Sequence, residues 1–340
     1  MANILLIYTG GTIGMVQNKD NQSLSAFNFD ALLKQIPDLR LLDANIETTS
    51  FPDPVDSANM SPSHWILLAN ILQDNKDQYD GFVILHGSDT MAYTASALSF
   101  IMRGFNKPII MTGSQLPIGI LRSDARENII TAIEIAASQY PNGEPVIKEV
   151  CVYFEYQLLR GNRVLKHSSQ QFNAFVSPNY PTLADIGVDV QFNYEHLLPA
   201  SDITDSIQTQ LIPNIIAYTL FPGQSHKLLH QLVEIGNVEG LLLITYGSGN
   251  APRDTDLENS IDKMINQLQR PVVNISQCTS GRVRQDLYEA GRWLQDLGVI
   301  SGKDLTREAA ITKMMYLLGD EEKNSAFRHW MQTNMCGELS

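Results

Sequence analysis

The sequence predicts an α/β protein, with a large N-terminal domain whose mostly parallel sheet is flanked by helices and a smaller α/β C-terminal domain. Three observations predict it. Apolar runs of strand length alternate with segments of helical spacing, a pattern that puts crossover helices between parallel strands covered on both faces. Those runs end in polar turns rich in glycine, serine and threonine. The chain has 340 residues, more than the roughly 250–300 that one hydrophobic core organises.

The elements follow in order. Ile4-Leu5-Leu6-Ile7 reads as a buried strand that runs straight into Thr9–Gly14. That strand starts at Asn3, leaving no room for a signal peptide. Ser61-Pro62 reads as N-cap and first helical residue, with Trp65, Leu68, Ala69 and Leu72 on one face. Phe82–His86 is the next strand, and Thr90–Phe105 repeats Met91, Ala95, Leu98, Met102 and Phe105 at helical spacing. Pro108–Thr112 is a strand, and Asp124 is placed to cap a helix carrying Ile129, Ile130, Ile133 and Ala137. The alternation loosens between Val164 and Pro213, a polar stretch with several prolines. A second series then follows, with strands at Ile215–Leu220, Leu241–Tyr246 and Val272–Ser276 and helices near 224–235 and 255–269. Three further helical patterns close the chain. The expected organisation is a catalytic domain over residues 1–195, a linker over 196–213 and a C-terminal domain over 214–340.

Composition excludes several function classes. The chain is 44% hydrophobic and 18% charged, with no apolar stretch near the ~18–20 residues of a membrane span. A formal net charge of −13 without a visible basic cluster disfavours nucleic acid as a partner. Cys151, Cys278 and Cys336 are widely spaced, which fits a reducing compartment and offers neither a disulfide framework nor a zinc site. The seven histidines are scattered, so no metal site is expected.

Ligands of open α/β sheets bind at the carboxyl ends of the strands. Three polar turns fall there, at Thr9–Gly14, Gly87–Thr90 and Thr112–Gln115. A phosphate loop is excluded, because no lysine follows Gly14 before Lys19 and the glycines at 10, 11 and 14 miss the dinucleotide spacing. Bare glycine turns also occur simply to permit a tight bend. Thr12 tips the balance, since a hydroxyl between glycines at a strand end is exposed beside backbone N–H donors. It needs a base. His86 sits in an apolar strand and reads as a satisfied core residue. Lys166, in "RGNRVLKH", is a candidate of the kind that burial can turn into a base, though by spacing it is one lysine among many.

Taken together, "YTGGTIGM" from Tyr8, "DSANMSPSHW" from Asp56, "DGFVILHGSDTMAYTASALSF" from Asp80, "KPIIMTGSQLP" from Lys107, "RGNRVLKH" from Arg160, "ITYGSGNAP" from Ile244 and "NISQCTSG" from Asn274 resemble bacterial type I L-asparaginases over nearly the whole chain. The resemblance implies a cytoplasmic amidohydrolase that converts L-asparagine and water to L-aspartate and ammonia without metal or cofactor. It implies a homodimer, alone or paired into a tetramer, with active sites near the dimer interface. It makes Thr12 the nucleophile, Ser88 and Asp89 the hydroxyl–carboxylate pair, and Lys166 the base that takes a proton through Ser88 when neutral. Gly11, Asp56, Ser57, Gly87, Ser88, Asp89 and Ser114 would contact substrate: Asp56 and Ser57 at its α-groups, Asp89 at its ammonium, Ser114 through its carbonyl. N–H groups of the two glycine turns would stabilise the oxyanion. Read alone, Asp56 is a turn residue, Ser57 a local cap, Asp89 a helix cap and Lys166 a solvated lysine.

The chain departs from the family pattern in three places. Ser88 replaces a threonine. Ile244 stands where members with a regulatory asparagine site carry arginine, which predicts near-hyperbolic saturation. No tyrosine occurs between Ile13 and Gln78, although the family's closing loop, here Met15–Phe29, usually supplies one. Rival readings are a mixed glutaminase–asparaginase, an amidotransferase subunit, whose relatives carry an extra N-terminal domain, and an asparagine-binding sensor without turnover.

Overall fold

The computed structural model describes residues 1–11, 13, 36–203 and 207–340, with the backbone alone of two short paired strands at 16–17 and 24–25. Thr12 and the remainder of the 15–29 loop lie outside the described residues. The chain forms two compact units, residues Met1–Ile207 and Gln208–Ser340. Residues 196–203 are tied to the first unit, through Leu198 N–H to Glu149 and Ser201 N–H to Asn106.

The first unit is built on an eight-stranded sheet. Its parallel part comprises β1 (Ala2–Tyr8), β2 (Ala44–Ser50), β3 (Gly81–Leu85), β4 (Ile109–Thr112) and β5 (Val150–Phe154) in the order β2-β1-β3-β4-β5. Burial follows position. β3, between two neighbours, is buried at every residue, whereas β2 on the edge alternates, as a strand with one solvated face must. Beyond β5 the sheet turns antiparallel with β6 (Gln157–Arg160), while β7 (Leu165–Lys166) and β8 (Phe175–Val176) pair separately and β9 (Ala184–Ile186) and β10 (Val190–Phe192) complete the edge. This antiparallel extension fills the stretch where the sequence shows no clear periodicity.

Helices cover the parallel strands. α1 (Pro62–Asp74) starts with Ser61 and buries the expected face, Trp65, Leu68, Ala69 and Leu72. α2 (Met91–Ile101) is buried almost all round. It stops short of Phe105 because the chain reverses at Gly104, whose φ of +83° suits a residue without Cβ. α3 (Ala125–Ala137) follows Asp124, but that carboxylate does not cap it. It accepts instead from the N–H groups of Gln115 and Leu116 and from Asn128, so it holds the loop after β4.

The second unit repeats the logic with four parallel strands: β11 (Ile215–Thr219), β12 (Gly240–Thr245), β13 (Val272–Ser276) and β14 (Ile300–Ser301). Its helices are α4 (Lys227–Glu234), α5 (Thr255–Asp262), α6 (Glu289–Asp296), α7 (Arg307–Leu318), α8 (Glu321–Ser325) and α9 (Phe327–Gln332). The core of this unit holds Leu241, Leu243, Leu257, Ile261 and Leu294, all fully buried. No helix among the described residues is long and apolar enough to cross a membrane.

Candidate active site

The strand order 2-1-3-4-5 reverses between β1 and β3, and the crevice at such a reversal is where open α/β sheets bind ligands. Two glycine turns meet there. Gly10 and Gly11 adopt φ of +127° and +89°, which only glycine tolerates well. A Cβ on Gly11 would lie 2.5 Å from the N and Cα of Gly87, and one on Gly87 would lie 2.6 Å from Ser57 Oγ. The loops after β1 and β3 therefore meet backbone to backbone, and the Ser57 side chain fills the space on the other side of Gly87. Thr9 fastens the first two, its N–H and hydroxyl both donating to Leu85 O at 3.0 and 3.1 Å.

His86 fixes the carbonyl at this turn. It is fully buried, with Nδ1 2.7 Å from Gly87 O and Nε2 2.9 Å from Thr94 Oγ1. A carbonyl only accepts, so Nδ1 carries the proton, Nε2 accepts from Thr94, and Thr94 accepts from Trp65 Nε1 at 3.0 Å. Burial lowers the His86 pKa to about 4, so the ring is neutral and every polar atom in the chain Trp65–Thr94–His86–Gly87 is satisfied. The core reading of His86 holds.

Lys166 arrives from far along the sequence. Gly161 packs its bare Cα against α2, where a Cβ would meet Ala95 Cβ at 3.2 Å, and Phe175 of β8, paired opposite Lys166, packs at a tilt against Phe154. The ammonium then donates to Ser88 Oγ at 2.9 Å and Asp89 Oδ1 at 2.7 Å. Its side chain is only 16% exposed, so it is not a solvated lysine. Asp89 leaves the cap of α2 to Thr90. Thr90 Oγ1 donates to Ser57 O at 2.8 Å, and Asp56 caps the 57–59 turn by accepting from Ala58 N–H at 2.9 Å.

A cavity of about 210 Å³ opens among these groups, lined by Gly11, Asp56, Ser57, Gly87, Ser88, Asp89, Gln115, Lys166 and Ser169. It is smaller than the ~300–1,000 Å³ of drug-sized pockets and suits a single small polar molecule. Five of its residues are glycine or serine, and Asp56, Asp89 and Lys166 supply charge of both signs, a lining that suits a zwitterion. Ser114 is buried beside it, its hydroxyl donating to Leu116 O. Sequence reasoning missed Gln115 and Ser169. Gln115 lies in the third polar turn and bridges the site, its Nε2 donating to Gln171 O at 2.8 Å and its Oε1 lying 3.5 Å from Ser88 Oγ. Ser169 sits three residues beyond Lys166, a proximity that is its only sequence signal. Ile244 is buried at the end region of β12. Among the described residues no group of histidine, cysteine and carboxylate side chains is arranged to hold a metal ion.

Comparison with known proteins matches the chain to two family models. Residues 3–198 match the family described as asparaginase, N-terminal, and residues 214–331 the glutaminase/asparaginase C-terminal domain. L-asparaginase 1 of Escherichia coli K12 is 38% identical, over 99% of this chain and 98% of its own length. Two solved structures superpose with TM-scores of 0.90: the thermostable L-asparaginase of Thermococcus kodakarensis, 34% identical with 99% of each chain covered, and L-asparaginase I of Vibrio cholerae, 36% identical with 100% of this chain and 99% of its own covered.

Proposed function

The chain belongs to the asparaginase family, and on that premise we propose that it hydrolyses L-asparagine to L-aspartate and ammonia without a cofactor. One observation carries the reading: Lys166 Nζ contacts both Ser88 Oγ and Asp89 Oδ1 in a cavity of amino-acid size. In this mechanism Thr12 Oγ attacks the amide carbon while its proton passes through Ser88 to neutral Lys166. Lys166 returns a proton to the departing ammonia, and water then cleaves the acyl ester to release aspartate. N–H groups of the two glycine turns hold the oxyanion, at ~3–4 kcal/mol per donor. Ser57 and Asp56 flank the α-groups of the substrate, and Ser114 offers its carbonyl to the side-chain amide.

Asp89 accepts from Lys166 Nζ at 2.7 Å, and its exposed carboxylate is placed to accept from the α-ammonium of asparagine as well. We further infer a cytoplasmic homodimer, alone or paired; the free state of all three cysteines supports the compartment.

The test is release of ammonia and aspartate by purified protein supplied with L-asparagine or L-glutamine. Asparagine turnover at about 1–10³ s⁻¹ is expected. Binding of asparagine without ammonia release would identify a sensor instead, and equal rates on both amides a mixed amidase.

A further inference from the structure

We propose that the second unit carries a separate binding site for a compact, multiply charged anion, in the cavity beside β14. This cavity measures about 580 Å³ and is walled by Arg282, Arg284, Gln285, Lys303, Arg328 and Gln332. Among the described residues Asp286 is the one carboxylate in its lining. Four cations against one acid give a formal +3 in a chain of net −13. Such a concentration of one sign in a concave wall focuses the field on an opposite charge.

The cations are poorly compensated where they stand. Arg284 is 3.9 Å from Asp286 and both are more than half exposed. Lys303 Nζ donates to Gln332 O at 2.8 Å, and Arg328 donates to Gly298 O. These carbonyl contacts orient two positive groups without neutralising them. A second observation is independent of charge. Gln285 is 5% exposed, lines the cavity, and its Nε2 has no hydrogen-bond partner among the described residues. A buried donor left unmade costs about 1–3 kcal/mol, and an anionic oxygen is the partner it lacks.

The lining also limits the ligand. Guanidinium forks match carboxylate and phosphate oxygens in pairs. Among the described residues no aromatic side chain lines the cavity, and its aliphatic residues are Val283 and Val299, which offer little for a nucleobase to stack on. The ligand class is therefore a small polycarboxylate or phosphoanhydride without an aromatic ring. None of these residues lines the amide-hydrolysing cavity.

Calorimetric titration of the full-length protein with citrate and with pyrophosphate, at ionic strength held constant with sodium chloride, tests the proposal. Saturable binding of one anion per chain is expected, and the tighter of the two probes identifies carboxylate or phosphate chemistry. The double variant Arg282→Gln/Arg284→Gln is expected to bind at least tenfold more weakly while its asparagine turnover is unchanged. The proposal is overturned if neither probe binds saturably to the parent. Equal binding by parent and variant also overturns it, since the anion then sits elsewhere. So does a change of sedimentation coefficient in the variant without anion binding by the parent, which would make the cavity a subunit interface.

Discussion

Lys166 is the residue on which the proposed chemistry turns, because it touches both a hydroxyl and a carboxylate of the cavity. Lys166→Met keeps most of the side-chain volume and removes the proton carrier. We expect kcat to fall about 10²–10⁴-fold with a much smaller change in KM; steady-state kinetics showing a loss confined to KM would contradict the role. His86 supports the site without entering it, and its protonation gives a pH signature. Its pKa is about 4 when folded against ~6.5 unfolded. Below pH 6.5 the unfolded chain takes up a proton that the folded one refuses. The stability linked to His86 is therefore full above about pH 6.5, declines as pH falls, and is lost by about 3 kcal/mol below pH 4. Urea denaturation of parent and His86→Gln should show the variant less stable at pH 7 and the gap closing by pH 4.5; a gap independent of pH would refute the neutral assignment. At this scale the sequence was only partly legible. His86 was readable from its apolar strand. Lys166 was marked by resemblance rather than by pattern, since a contact spanning 78 residues to Ser88 leaves no local trace. The four cations of the second cavity were invisible for the same reason, arising from segments at 282–284, 303 and 328.

The glycine turns are the elements that assemble the cavity, and they do so by what they omit. Gly11→Ala would drive a Cβ to 2.5 Å from the Gly87 backbone at a φ of +89°. Strain of order 1–3 kcal/mol is expected, with the two turns pushed apart. Displacement near 1 Å at such a site lowers kcat about 10²-fold. A variant that crystallises with the turns in place and retains full activity would show that the close approach is dispensable. Element boundaries divide along similar lines. β1, β3 and β4 were legible because central strands carry unbroken apolar runs, and α1 because its Ser-Pro start and its apolar face agree. β9 and β10 were not, being three residues each and held by pairing with neighbours rather than by a pattern of their own. Asp124 misled as a helix cap because its carboxylate has stronger offers from the loop after β4.

The whole molecule divides its work between two units, each stable for its own reasons. In the second, Lys313 and Glu338 are wholly buried and paired at 2.5 Å. Glu338 also accepts from Met335 and Cys336 N–H groups at 3.0 and 2.8 Å, closing the C-terminal segment over α7. Glu338→Gln leaves a buried ammonium without its counter-charge, and breaking such a pair costs about 3–5 kcal/mol. Calorimetry should show the transition of the variant several degrees lower; an unchanged transition would mean that the carbonyls of Met331 and Thr333, which Lys313 also contacts, suffice alone. The first unit bears the central claim, that the crevice between β1 and β3 hydrolyses asparagine through a threonine ester. The single most direct measurement is ammonia release by Thr12→Ala set beside calorimetric binding of asparagine to the same protein. We expect no turnover above background, asparagine binding retained and an unchanged melting temperature, because the substitution removes only a hydroxyl and a methyl. Turnover within tenfold of the parent would contradict the claim and move the nucleophile to Ser88.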